Sequence, residues 1–153
     1  MGLPGSGKST YLASLGANAI SSDEMRRLLA DDAADQTIHG RVFRAMRFLV
    51  AERFRIGRPV TYADATHSTR KERKPYLRMA RTAGADVEVL FFDTPLEVCL
   101  ERNRRRERIV PEEAIRAMAA KLESPTTKEG FARVTAVDWK AGTERERRTT
   151  KPG

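Results

Sequence analysis

An α/β fold with a parallel sheet, helices on both faces and a helical lid is predicted for this chain by three observations. Short apolar runs of strand character alternate with longer stretches of helical period. A glycine-rich segment ending in Lys8-Ser9 stands ahead of the first run. Two of the strand-like runs close on or just before an aspartate, Asp23 and Asp64, the edge at which open α/β sheets place ligands. With 153 residues, 40% of them apolar, the chain is long enough for one domain with a real core, and two independent domains are not expected.

The elements follow in order. Ala17–Ile20 is a short strand, and Ser21-Ser22-Asp23-Glu24 has the Ser-x-x-Glu spacing of a capping box that opens a helix to about Ala30. After an acidic turn, Asp31 to Asp35, an amphipathic helix runs to about Ile56 with Ile38, Val42, Met46, Leu49, Val50 and Phe54 on one face, and Gly57 and Pro59 stop it. Val60 to Ala63 reads as a buried strand running into Asp64. Thr69-x-x-Glu72 offers a cap for the next helix, but Pro75 would sit deep inside it, so a kink or a later start is expected. Val87–Phe92 is the strongest strand, and Thr94-Pro95-Leu96-Glu97 supplies a cap, a proline at the first helical position and the glutamate three on. Pro111 opens a helix to about Glu123, Phe131 to Val137 is a final strand, and residues 140–153 form a charged tail expected to be disordered.

Lys plus Arg number 29 against 21 Asp plus Glu, a balance of +8 that favours a phosphate-bearing or acidic partner over a cationic one. No run approaches the length of a membrane span and no secretory signal is readable, so a cytoplasmic location without membrane attachment is expected. The single cysteine, Cys99, lies between Val98 and Leu100 and reads as a packed thiol.

Gly2-Leu3-Pro4-Gly5-Ser6-Gly7-Lys8-Ser9 matches G-x-x-x-x-G-K-[ST], the phosphate loop of the P-loop NTPase fold. Its glycines let backbone N–H groups turn onto phosphates, Lys8 reaches the β and γ phosphates, and the Ser9 hydroxyl ligates Mg²⁺. Gly2, Pro4, Gly5, Ser6, Gly7, Lys8, Ser9 and Thr10 are therefore the expected nucleotide-binding residues, with ATP and Mg²⁺ as cofactors. Such a loop ordinarily joins a central strand to a helix, yet only Met1 precedes it, so the first, central strand is expected to be absent from this chain and its neighbours to lose ladder partners.

The loop serves motors, switches and kinases alike. Asp64 is followed by Ala65 and Thr66 rather than a second carboxylate, which argues against a water-activating motor, and no Asn-Lys-x-Asp stretch exists to read guanine. Transfer to a bound acceptor remains. Asp23 at a strand end would take the proton of an attacking hydroxyl, and Asp64 would hold a water of the Mg²⁺ shell beside Ser9. In the run Arg102 to Arg108, Arg102 and Arg106 are spaced i, i+4, so on a helix they would share a face and close over the triphosphate.

These residues resemble the kinase domain of polynucleotide 5′-hydroxyl kinases, closest in pattern to the kinase module of bacterial RNA-repair kinase-phosphatase-ligases. The resemblance covers about residues 2–123 and rests on the loop, Ile20-Ser21-Ser22-Asp23-x-x-Arg26, Asp31-Asp32-x-x-Asp35-Gln36, Asp64-Ala65-Thr66 and Val98-Cys99-x-Glu101-Arg102-Asn103-x-x-Arg106. It implies a kinase domain over residues 1–139 with a lid at about 101–123, Asp23 as general base and Arg26 on the phosphate 3′ of the acceptor hydroxyl. It further implies Arg102 and Arg106 in the lid over ATP, and Gln36 at a motif position without an assigned role. The family commonly has Asn where this chain has His67, which reads as a surface residue. A nucleic acid 5′ end is the implied acceptor, and linked phosphatase or ligase domains in a longer parent are the implied partners.

Arg70, Lys71, Arg73, Lys74, Arg78 and Arg81 offer a basic face for such an acceptor, while no interleaved aromatics support base stacking. Two alternatives compete with this reading: a small-molecule kinase acting on a sugar, nucleoside or antibiotic alcohol, and a nucleotide-binding module that has lost catalysis.

Overall fold

A computed structural model describes residues 1–137; the expected tail at 140–153 lies outside the described residues. The chain divides into two compact units, one formed by Ser9–Ala65 and the other by Met1–Lys8 with the chain from Thr66 onward. The strands pair in parallel, as predicted, but as two separate two-stranded ladders rather than one continuous sheet.

In the Ser9–Ala65 unit, β1 (Ala19–Ser21) pairs with β2 (Tyr62–Asp64) in a register that sets Ser21 opposite Asp64. Helix α1 (Lys8–Ser14) leads into this unit, and α2 (Ser22–Ala30) starts directly from β1. Its cap is Ser21, whose hydroxyl accepts from the Asp23 N–H at 3.3 Å, and Asp31 ends it in the left-handed conformation. Helix α3 (His39–Arg55) buries the face the periodicity marked, with Val42, Phe43, Met46 and Val50 out of solvent. Met25 of α2 and Ala65 complete that core, with Ile20, Ile38 and Leu49 packed against it. The strand expected at Val60 begins two residues later. Arg53 takes the Val60 carbonyl at 2.8 Å and the Thr61 hydroxyl at 3.0 Å, and Val60 is left 55% exposed.

In the other unit, α4 (Arg70–Ala83) is followed by β3 (Glu88–Phe91), α5 (Leu96–Arg104), α6 (Glu112–Ala120) and β4 (Arg133–Ala136), which pairs with β3. Met1 sits on the edge of β3 away from β4: its amino group donates to the Leu90 carbonyl and its carbonyl accepts from the Phe92 N–H. The later start expected for α4 is not found. Thr69 and Glu72 close a reciprocal capping box, and the helix runs through Pro75, whose missing N–H removes a bond only to the first turn. Thr94 does not cap α5 either; Pro95 takes that position, and the Thr94 hydroxyl donates instead to the Ser6 carbonyl.

Candidate active site

The phosphate loop is built into the Met1–Lys8 unit by close backbone packing. Gly5 has φ +83°, and a Cβ there would lie 2.4 Å from the Cys99 carbonyl oxygen. A Cβ on Gly2 would lie 2.8 Å from the Phe92 carbonyl oxygen. Side chains at these two positions would force the loop off its supports at β3 and α5, so glycine is required for position as well as for conformation. Pro4 lies between them, half-buried. Ser6 is buried, its N–H donating to Leu3 and its carbonyl held by Thr94 at 3.0 Å. Lys8 arches back over the loop, its Nζ donating to the Gly2 carbonyl at 2.8 Å and the Leu3 carbonyl at 2.9 Å.

Arg102 belongs beside this loop: its Nη1 lies 3.8 Å from where a Cβ on Gly7 would stand. Arg106 does not share a helical face with it, because α5 ends at Arg104. The cause is Asn103, fully buried, whose amide donates to the Val110 carbonyl at 2.7 Å and accepts from the Val110 N–H at 3.0 Å. That two-way clamp, with Arg104 bonded to Glu112 at 2.6 Å, turns the chain back and leaves Arg106 exposed in the connecting loop. Cys99 is fully buried as expected; burial pushes its thiol up, against the opposing charges of Lys8 and Arg102.

In the Ser9–Ala65 unit, the Ser9 hydroxyl donates to Asp64 Oδ2 at 3.1 Å. Because Ser21 is in register with Asp64, the start of α2 and Asp64 lie at the same carboxyl edge of the β1–β2 pair. Asp23, one residue into α2, has a side chain 52% exposed, and its Oδ1 accepts from Arg26 Nη1 at 3.4 Å. Arg26 is buried, with Nη2 also 3.4 Å from His39 Nδ1, and the His39 ring packs on Phe43. Gln36 is exposed and donates to Ala34, in a loop where the Thr37 hydroxyl and N–H hold the Asp35 carboxyl below its usual range. Thr10 is exposed on α1.

Two residues expected at the surface are not there. His67 is 7% exposed, its ring edge-on to Tyr76, and it holds φ +47°, a left-handed conformation uncommon for residues other than glycine though His adopts it more readily than most. Burial first, then the positive charges of the Met1 amino group, Arg73 and Lys8, lower its pKa to about 3. Arg73 is no part of an exposed basic face. Its guanidinium grips Glu129 through two bonds of 2.9 and 2.8 Å and donates to the carbonyls of His67 and Glu123, both at 3.0 Å. Neither placement has a local sequence signal, since the partners lie up to 56 residues away.

A family model, AAA_33, described as an AAA domain, matches residues 1–125. The chain belongs to this family. Its AAA_33 domain is a P-loop domain of the kinase-like kind, in agreement with the phosphate loop and the parallel pairing of its strands. The chain is also similar to the L-seryl-tRNA(Sec) kinases of Homo sapiens and Mus musculus, at 53% and 50% identity over 36 residues. Those stretches cover 24% of this chain and 10% of each relative. Among the described residues no helix is long and apolar enough to cross a membrane.

Proposed function

We propose that this AAA_33 domain transfers the γ-phosphoryl group of ATP to a hydroxyl, and that the hydroxyl is the 5′ end of a polynucleotide. The observation that carries the reading is the Ser9–Asp64 contact at 3.1 Å, made at the strand edge that also starts the helix bearing Asp23. A hydroxyl and a carboxylate side by side are hard oxygen donors suited to Mg²⁺, which takes one or two protein oxygens and keeps several waters. Ser9 would ligate the ion and Asp64 would hold one of its waters; when bound, the ion neutralises charge on the phosphates.

The chain's own residues do the rest. Gly2 to Thr10 would wrap the phosphates, with Lys8 turning from its loop carbonyls onto the β and γ oxygens. Arg102, beside Gly7, and Arg106, in the loop after α5, would spread positive charge over the transferred group. Asp23 takes the acceptor proton as the new O–P bond forms and the bond from the γ-phosphorus to the β–γ bridging oxygen breaks, leaving ADP. Arg26 orients that carboxylate and, with Gln36 nearby in sequence, reads the phosphate next to the acceptor hydroxyl.

A second reading, an acceptor hydroxyl carried by another molecule, has the similarity to kinases named for L-seryl-tRNA(Sec) in its favour. The test is transfer of labelled phosphate from ATP, with Mg²⁺, to a panel of 5′-hydroxyl RNA, 5′-hydroxyl DNA, seryl-tRNA and free alcohols. The 5′-hydroxyl reading predicts label on the oligonucleotides and a selective loss there in Arg26→Ala. Label on seryl-tRNA or a free alcohol alone would replace it with the second reading, and tight ATP binding without any transfer would leave a module without catalysis.

A further inference from the structure

We infer that the exposed side of α4 is a docking surface for the phosphate backbone of a nucleic acid, distinct from the residues assigned to phosphoryl transfer. The inference rests on the acceptor being a polynucleotide. Arg70, Lys71, Lys74, Arg78 and Arg81 are all exposed. Their spacings of three and four place them along one side of the helix, while Arg73 and Ala80 are buried on the other.

Among the described residues, little balances this stripe. The helix's one acidic residue, Glu72, is spent in the capping box, and Arg70 has Glu129 at 4.0 Å. Among the described residues, Lys71, Lys74, Arg78 and Arg81 make no ion pair. Like charges three and four apart weaken a helix, so 70/74, 71/74, 74/78 and 78/81 each work against α4. An external polyanion with regularly repeated charges removes that repulsion along the whole stripe, which a single phosphate does not. A membrane surface fits less well. Amphipathic helices that lie on lipid insert an apolar face, whereas the far side of α4 is committed to the buried Arg73–Glu129 pair.

The test uses the full chain without ATP and a 5′-phosphorylated 20-nucleotide RNA, which cannot accept a phosphoryl group, followed by fluorescence anisotropy across salt concentrations. Lys74→Glu with Arg81→Glu makes each of the four neighbour pairs opposite in sign, so this variant should melt no lower than wild type. It should bind at least about tenfold more weakly near 0.1 M salt, and the slope of log affinity against log salt should shrink by about 1.4, the loss of two phosphate contacts. Arg41→Glu with Arg44→Glu, exposed on α3, makes the same change in net charge and should leave binding within about threefold. Equal weakening by both variants would assign binding to net charge and overturn the proposal, as would binding unaffected by the α4 variant. Binding to phosphatidylserine vesicles, lost in the α4 variant while RNA fails to bind, would assign the surface to membranes. RNA bound through α4 by a protein that phosphorylates no polynucleotide would fault the catalytic reading alone.

Discussion

Arg73 and Arg26 are both helix arginines with almost no exposed surface, 3% and 6%, yet they are held in opposite ways. Arg73 faces a carboxylate with little exposed surface of its own, through two bonds under 3 Å, and ties two separate stretches of backbone, 67–68 and 123, to that carboxylate. Arg26 faces Asp23 across 3.4 Å, and half of that side chain's surface is open to solvent. The first arrangement spends a cation on architecture. The second sets a cation beside a carboxylate half open to solvent. Burial alone therefore does not say how an arginine is held; the exposure and distance of its carboxylate do.

The largest effect expected from this contrast is in stability. Arg73→Ala leaves Glu129 in a buried site where desolvation would raise its carboxyl and only the Arg73 bonds and charge, helped by the Thr126 N–H and Arg70, hold it down. A loss of about 3–5 kcal/mol in urea unfolding is expected, the usual result of orphaning one member of a buried pair. Next in size is the pH dependence around the same cluster, where the His67 carbonyl accepts from Arg73. With its pKa lowered from 6.5 to about 3, His67 is folded as the neutral ring, so stability is complete above pH 6.5 and falls as pH drops toward 3. The loss by pH 5 should be on the order of 2 kcal/mol. Glu129 adds its own loss only below its ordinary carboxylate pKa. His67→Asn, which tolerates the left-handed backbone, should flatten the curve between pH 6.5 and 5. Smallest is Arg26→Ala, about 1 kcal/mol of stability, since Asp23 stays solvated. A stability loss there equal to that of Arg73→Ala would erase the distinction between the two arginines.

Much of this was written locally in the sequence. The loop and the Ser21 cap follow from patterns within a dozen residues, the buried face of α3 from one helical period, and the parallel pairing from the alternation of strands and helices along the chain. Most of the differences come from contacts that no local pattern carries. Pro75 argued against a helix starting at Arg70; the Thr69–Glu72 box, a local signal, sets that start, and the distant Arg73–Glu129 contact holds it. Thr94 has the spacing of a cap and instead supports Ser6, 88 residues away. The i, i+4 spacing of Arg102 and Arg106 promised one helical face until the Asn103 clamp on Val110 ended the helix between them. Asn103 is the residue that sequence reasoning passed over. A lone asparagine in an arginine-rich run gives no sign of zero exposure.

The central claim is that Asp23 receives the proton of an attacking alcohol while ATP is held by the loop at the amino end. It is tested most directly by labelled transfer from ATP to a 5′-hydroxyl RNA, comparing wild type with Asp23→Asn at equal thermal stability. The account predicts transfer by the wild type and a fall of about a hundredfold or more in the variant. Transfer of equal rate in both proteins would contradict it.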